Sequence, residues 1–293
     1  MTNTTLTGIV VLMLASGAAG CNDSRPPTIP GVPPPSPPAT TSPQPTPPAT
    51  SVSGYVYDSA FRPVGGVKIE AVDGASAGVS TTTNGSGGFA LSGTFDESVM
   101  FRASKAGYVA AAKTLTRTPS GQAQVSFTLS LVAPPVAIAG DYTVTFVADG
   151  ACAGNLPEGA RERIYAATIS PSSYPGAPPD TQFSVTVSGA PFLAGYGGFY
   201  LGVAGDYVAI FIGDHGPLVV EQLGPNRYLA LDGWTAVSVG TSVVSTISTP
   251  FEGSFEHCEL KSAPGAYYGC PATHSISQAR CESKNHRLVL TRR

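Results

Sequence analysis

Charged side chains are scarce in this sequence. Lysine, arginine, aspartate and glutamate make up 12% of the 293 residues, about half of the fraction of about 25% that is usual in soluble domains. The formal net charge is −3, so the chain lacks the basic surface on which nucleic-acid binding depends. We therefore expect no nucleic-acid partner. Small polar residues and glycine must form most of the surface.

Helix-favouring stretches and long apolar runs are also lacking. The apolar run near the N-terminus, residues 8–20, is shorter than the about 20 residues that a membrane-spanning helix needs. The 34 glycines and 27 prolines make up about a fifth of the chain. They interrupt helices and favour short strands joined by turns. We therefore predict an all-β protein.

Residues 1–21 have the features of an export signal. A short apolar segment that ends in small residues is typical of a secretory signal peptide. Its end, Ala18-Ala19-Gly20-Cys21, resembles the lipobox of bacterial lipoproteins, in which the cysteine carries lipid and becomes the mature N-terminus. The resemblance implies lipidation of Cys21 and an exported protein of the bacterial cell envelope. Because Asn22 follows the cysteine, it also implies the outer membrane. The alternative is an ordinary secretory signal that is cleaved near Ala19.

Residues 22–50 contain twelve prolines and almost no apolar side chains to bury. Such a composition favours extended polyproline II over a packed core. At about 3.1 Å per residue, the segment spans up to about 90 Å. We interpret it as a disordered, proline-rich linker that holds the folded part away from a membrane. The alternative is a ligand for a proline-recognising partner domain.

Residues 51–131 show the alternation of short β-strands. Residues 53–58 alternate, and Val67, Ile69 and Ala71 fall on one face of the next run. Further strand-like segments are separated by turn sequences such as Asn84-Gly85. In a segment of about 80 residues, this pattern predicts a small β-sandwich with a modest core.

This segment resembles the carboxypeptidase regulatory-like domain, a transthyretin-like β-sandwich. The matching residues are Gly54-Tyr55-Val56, Pro63-Val64-Gly65-Gly66-Val67, Thr81-Thr82-Thr83-Asn84-Gly85 with Gly88-Phe89, and Lys105-Ala106-Gly107-Tyr108. The resemblance implies a domain without catalytic residues. It implies a spacer, a stabilising module or a sugar-binding platform on an exported bacterial protein.

Residues 139–293 are predicted to form a second, larger all-β domain after a short proline-containing hinge. Its strand-like runs are residues 140–147, 163–169, 182–188, 198–203, 207–212, 218–223, 227–231, 234–239, 243–248, 251–257 and 287–291. Their number and spacing fit either an antiparallel β-barrel or a two-sheet β-sandwich. The opening Gly140-x-Tyr142 and the closing basic strand, residues 285–293, are weakly similar to lipocalin- or avidin-type barrels.

The four cysteines of the second domain predict two disulfides, because an exported chain uses an even number of cysteines in this way. We favour Cys258–Cys270, which closes a local loop, and Cys152–Cys281, which ties the first loop to the last strand. The alternative is a metal site among residues that crowd into the same region: His257, Cys258, Cys270, His274, Cys281 and His286. Their spacing lacks the paired clamps that hold zinc, so we expect no metal.

No pattern in the sequence supports catalysis. Residues 74–78 match the GxSxG pattern, but a nucleophile elbow needs a strand, a sharp turn and a helix, and we expect a flexible hairpin loop here. Asp214-His215 is flanked by glycines and predicts an exposed turn. Arg161-Glu162-Arg163 predicts a solvated charge cluster, with a carboxylate-binding site as the alternative. We therefore predict a protein that is not an enzyme and that needs no cofactor.

Aromatic residues cluster in the second domain, where five fall within sixteen positions: Phe192, Tyr196, Phe199, Tyr200 and Tyr207. Flat aromatic faces stack against sugars, but alternating aromatic residues also form cores. We predict that Tyr196, Tyr200 and Trp234 bind a glycan or a small neutral ligand, with His215 at the rim. The sequence thus predicts a membrane-anchored, non-catalytic binding lipoprotein. A purely structural envelope protein and a hydrolase of envelope material are the alternatives.

Overall fold

The computed structural model describes residues 49–116, 123–172, 178–213, 219–240, 244–261, 270 and 275–293. Within these ranges the chain is nearly all β, as predicted. The predictions for the signal peptide, for Cys21, for most of the proline-rich linker and for His215 concern residues outside this set.

The first domain is a β-sandwich. Its strands are β1 (Ala49–Asp58), β2 (Lys68–Ala71), β3 (Ser80–Thr82), β4 (Gly88–Phe95), β5 (Ser98–Ser104), β6 (Ala111–Thr116) and β7 (Phe127–Leu129). One sheet has the order β4-β1-β7, and the other has the order β3-β2-β5-β6. All pairs are antiparallel except β1 with β7. The small β-sandwich predicted from the sequence is therefore confirmed.

The alternating pattern of β2 explains the core of the sandwich. Val67, Ile69 and Ala71 are fully buried and pack in one apolar cluster with side chains such as Val56 and Phe101. Successive side chains of a strand point to opposite faces, so the polar residues between them face outward. The period-two pattern thus places one face of each sheet in the core.

The second domain contains the remaining described strands. They are β8 (Gly140–Val147), β9 (Glu162–Pro171), β10 (Gln182–Ser188), β11 (Gly198–Ala204), β12 (Tyr207–Ile212), β13 (Val219–Gly224), β14 (Arg227–Ser238), β15 (Thr246–Leu260) and β16 (Ser275–Arg292). A short 3₁₀-helix (Gly150–Gly154) and helix α1 (Glu158–Arg161) precede β9. No helix within the described ranges has both the length and the apolar character to cross a membrane.

Eight of these strands close into a barrel. The order is β12-β11-β10-β9-β8-β16-β15-β14, and β14 pairs back to β12. The second half of β14 makes this closure, since Gly233 pairs with Ile212, while its first half pairs with β13. Of the two architectures that the sequence allowed, the barrel is the one that forms.

Large apolar side chains fill the interior of the barrel. Phe146, Phe199, Phe251 and Phe255 are fully buried and belong to one cluster that spans the barrel strands. Phe146 contacts Phe199 and Phe251 with ring centroids 6.0 and 6.2 Å apart. These rings occupy the space that an open, calyx-type barrel would offer to a ligand, so a ligand site must be sought on the outside.

Candidate functional site

Two disulfides join the four cysteines of the barrel domain. Cys152 of the 3₁₀-helix is bonded to Cys281 of β16, and Cys258 of β15 is bonded to Cys270. This is the pairing expected from the sequence. The thiols that the alternative metal site needed are therefore consumed. In the described part of the chain, no three His, Cys, Asp or Glu side chains are grouped to hold a metal ion.

The charge cluster at residues 161–163 is only partly solvated. Glu162 is exposed, as expected from the sequence, whereas Arg163 is built into the fold. Arg163 forms an ion pair with Glu221 of β13, which is almost fully buried. The hydroxyl of Tyr165 donates to the same carboxylate at 2.7 Å. Burial, together with the hydrogen bond to Glu221, raises the pKa of Tyr165, so the phenol stays protonated at neutral pH. The group links β9 to β13, and the Arg163 guanidinium is paired with a carboxylate of the chain itself.

The GxSxG match has a structural role in the sandwich. Ser76 is buried, and its hydroxyl donates to the backbone carbonyl of Thr94 at 2.8 Å. The residues around it form turns between β2 and β3, not the strand–turn–helix that exposes a catalytic serine. The hydrogen bond of Ser76 therefore fixes the predicted hairpin loop to β4.

The structure separates the three aromatic residues that were predicted to bind a ligand. Tyr196 is half-buried and packs against the cluster of Val220, Tyr228 and the Cys258–Cys270 disulfide. Tyr200 and Trp234 instead lie on the outer face of the barrel, where they are 38% and 48% exposed. Only these two are presented to solvent as a pair.

Tyr200 and Trp234 belong to one row that crosses three neighbouring strands. Tyr200 of β11 pairs with Phe211 of β12, and Phe211 pairs with Trp234 of β14. Neighbouring strands lie about 4.8 Å apart, so the row is about 10 Å long. We call these three residues the aromatic row. Its length and flat faces suit one or two sugar rings.

A cleft of about 290 Å³ adjoins one end of the aromatic row. It is lined by Phe61, Ser172, Gln182, Phe183, Tyr200, Leu201 and Phe211. The ring of Phe61 comes from the sandwich and meets Phe211 edge to face, with centroids 5.3 Å apart. We call this space the junction cleft. Its described lining is apolar and aromatic with one amide and one hydroxyl, and none of these residues is charged.

The junction cleft exists because residues 58–62 of the sandwich, the docking loop, lie against the outside of the barrel. The buried hydroxyl of Ser59 donates to the carbonyl of Val203 at 2.6 Å. Ala60 packs with Ala204 and Ala209. A Cβ at Gly202 would lie 2.9 Å from the carbonyl oxygen of Ser59. Small residues on the barrel surface therefore let the docking loop approach closely.

Sequence reasoning missed two aromatic residues of this site. Phe61 follows Asp58-Ser59-Ala60 in a turn-like segment, and an aromatic side chain in such a segment was the available signal. Phe211 lies in the continuous apolar run Tyr207–Ile212, where both faces of the strand are apolar. Such a run does not indicate which of its residues point outward.

Comparison with protein families gives a match for the first domain. Residues 51–130 match the family model of the carboxypeptidase regulatory-like domain. The match ends one residue before the boundary predicted from the sequence, and it confirms the resemblance for this domain. A comparison with curated proteins finds no significant match.

Proposed function

We propose that this protein is a non-catalytic, envelope-anchored lipoprotein that binds a neutral glycan on the outside of its barrel. The observation that carries the proposal is the aromatic row, in which Tyr200 and Trp234 hold large apolar faces in water on either side of Phe211. Apolar residues exposed singly are common on protein surfaces, whereas contiguous exposed apolar patches mark interaction sites.

The chemistry of the site favours an uncharged ligand. Tyrosine and tryptophan combine a flat apolar face with a polar tip, which matches the C–H face and the hydroxyl rim of a sugar. Ser184 precedes Tyr200 in the same cross-strand line, and Glu252 follows Trp234. Binding sites of this kind combine aromatic walls with a few polar groups that fix orientation.

Two further features support export and anchoring. Disulfides persist in oxidising compartments outside the cytoplasm, and this domain has two. The sequence at Cys21 resembles a lipobox. We expect Cys21→Ser to release the protein from the membrane fraction, while Cys258→Ser, which leaves Cys21 in place, stays membrane-bound. A Cys21→Ser protein that fractionates like the wild type would contradict the anchor.

The glycan proposal is tested through Trp234, the single tryptophan of the chain. Maltohexaose, cellohexaose and chitohexaose are titrated against the protein, with tryptophan fluorescence and calorimetry as readouts. We expect at least one of them to shift the emission saturably. Trp234→Ala should weaken its calorimetric affinity about thirtyfold, as loss of an interface hot spot of about 2 kcal/mol does.

Tyr55→Ala is the matched control, since Tyr55 is a similarly exposed aromatic residue of the sandwich. It should bind like the wild type. A wild-type protein that binds none of the three oligosaccharides contradicts the proposed glycan site.

That outcome would favour the purely structural alternative. The observations in its favour are the apolar side chains that fill the interior of the described barrel and the close docking of the sandwich, because both serve packing and neither needs a ligand.

A further inference from the structure

Phe61 has a backbone conformation that is unusual for its residue type. Its φ angle is 62°, in the left-handed region that bulky side chains rarely occupy. The other described non-glycine residues with positive φ are Asp180 and Asn226, whose short polar side chains tolerate it. An observed outlier of this kind is a reason to look for a function, because strain persists where the surrounding structure enforces it.

The docking loop enforces the conformation of Phe61 through Asp58. The buried Asp58 carboxylate accepts hydrogen bonds from the amide groups of Ala60 and Arg62, at 2.9 and 3.0 Å. It also accepts from the Arg62 guanidinium at 2.7 Å. The Phe61 amide donates to the Asp58 carbonyl at 3.0 Å. The Asp58 amide donates to the Arg62 carbonyl at 2.9 Å, so five hydrogen bonds within five residues hold the backbone at Phe61.

Packing against the barrel accounts for only part of the ring. Phe61 meets Phe211 edge to face, with centroids 5.3 Å apart, and its ring lies beside Gly202. The residue is nevertheless 47% exposed, whereas Ser59 and Ala60, which also contact the barrel, are almost completely buried. Arg62 adds a stacking contact at 4.0 Å over the ring of Tyr207. The two domains thus dock through residues 59–62, and the strained backbone of Phe61 presents a half-exposed ring beside the aromatic row.

We infer that the sandwich supplies Phe61 as one wall of the ligand site, and that a saccharide ring enters the junction cleft between Phe61 and Tyr200. This inference rests on the proposed glycan function and adds a residue from the other domain to it. Gln182 and Ser172 line the same cleft and are the residues whose side chains can hydrogen-bond to the hydroxyls of the sugar.

The uncharged lining of the described cleft selects a neutral ligand, since a charged one would lose water without gaining a partner. The cleft is also continuous with the interface between sandwich and barrel, because Phe61 follows the docking residues directly. A ligand in the cleft contacts both domains, so binding stabilises their docking. On this basis the sandwich is part of the binding machinery and more than a spacer.

The test replaces the ring and keeps the backbone. Phe61→Gly accepts a positive φ without strain, and Phe61→Asn tolerates it as well. Each oligosaccharide that binds the wild type is titrated against both variants, with Trp234 emission reporting occupancy of the row. We expect a saturable emission change with a dissociation constant at least tenfold higher in both variants. Met100→Ala, a half-exposed apolar residue of β5, should bind like the wild type.

The outcomes separate the two proposals. A wild-type protein that binds, together with Phe61 variants of unchanged affinity, would overturn the role of Phe61 and leave the glycan site on the barrel intact. A wild-type protein that binds none of the three oligosaccharides overturns both the glycan site and the proposed role of Phe61 in it. Thermal denaturation of Phe61→Gly within a few degrees of the wild type shows that a lost affinity is not a folding defect.

Discussion

Strand β11 presents two different surfaces, one on each side. Phe199, Leu201 and Val203 point into the barrel and are buried in its core. Tyr200 and Gly202 alternate with them and point outward, where Tyr200 is exposed and Gly202 is covered by the docking loop. The same run of seven residues therefore builds the core with one set of side chains, and an exposed aromatic and docking surface with the other.

The difference teaches how aromatic residues divide between stability and function. An inward ring is surrounded by other side chains, and its removal leaves a cavity. An outward ring is half in water, so its removal costs little stability but takes away a contact face. Substitutions at inward and outward positions should therefore differ in how much they lower the free energy of unfolding.

The largest effect is expected for Phe199→Ala. Phe199 is fully buried, 6.0 Å from Phe146, so its truncation should lower the free energy of unfolding by about 3–5 kcal/mol. Chemical denaturation of the barrel domain with its disulfides intact measures this loss. A loss below about 1 kcal/mol would mean that the barrel interior is loosely packed, and it would remove the contrast between the two faces.

A smaller effect is expected for Gly202→Ala on the outer face. The new Cβ would lie within about 3 Å of the backbone at Ser59 and Ala60, so the docking loop must move. We expect a loss of about 1–3 kcal/mol, as for other overpacked contacts, with faster hydrogen exchange at residues 58–62. Gly224→Ala is the control, since a Cβ there meets nothing within 4 Å. Equal stability of the two variants would argue against close docking.

The sequence predicted those parts of the fold that depend on local alternation. Strand β12 covers the predicted residues 207–212, and the β-sandwich forms within the segment whose alternation predicted it. The disulfide pairing also followed from chain order, since a local loop and a link between the ends of the domain are the simplest arrangement. These features need no knowledge of the partner strand.

Features that depend on pairing between distant segments escaped prediction. Strands β14 and β15 were each predicted as two shorter strands, because Gly233 and Pro250 interrupt the pattern. In the barrel, Gly233 pairs with Gly253 of β15, and a Cβ at either glycine would overlap the opposite backbone. Glycine here permits a close approach of strands and does not end one.

The sequence also could not separate binding residues from core residues, because this too depends on how distant strands pair. Alternation places Phe199 and Tyr200 on opposite faces, but only the closed barrel decides which face is inside. The sequence therefore proposed Tyr200 and Trp234 as ligand-binding residues without their cross-strand partner Phe211, and it grouped Tyr196 with them although Tyr196 packs beside a disulfide. Phe61 comes from another domain, so no local pattern connected it to the site.

The buried His286 side chain should make the stability of the barrel depend on pH. His286 is fully buried against Phe251 and Phe255, and its Nδ1 accepts from the Asp149 amide at 3.0 Å. Burial lowers the pKa of His286, although Asp149 and Asp232 oppose the shift. The unfolded chain therefore binds the proton more readily, so stability falls as the pH drops below about 6.5.

The slope that His286 contributes is at most about 1.4 kcal/mol per pH unit, the limit for one proton. His286→Asn retains an acceptor for the Asp149 amide and removes the titration. Its unfolding free energy should vary less between pH 7 and pH 5 than that of the wild type. The half-buried His257 also has a pKa lowered by burial, so His257→Asn should retain the His286 part of the slope. If His286→Asn keeps the wild-type slope, the histidine is not the group responsible.

The smallest effect on stability is expected for Trp234→Ala, although tryptophan is the largest side chain. Trp234 is 48% exposed and lies on the outer face of β14, beside Phe211 and Glu252. Its removal leaves no enclosed cavity, so we expect a change of about 0.5 kcal/mol, as for other surface substitutions. Denaturation followed by circular dichroism suits this variant, which has lost its fluorophore. A loss of 3 kcal/mol or more in the free energy of unfolding, as at Phe199, would show that Trp234 is part of the packing. The rings of the aromatic row would then contribute to stability, and their exposure would no longer support a ligand site.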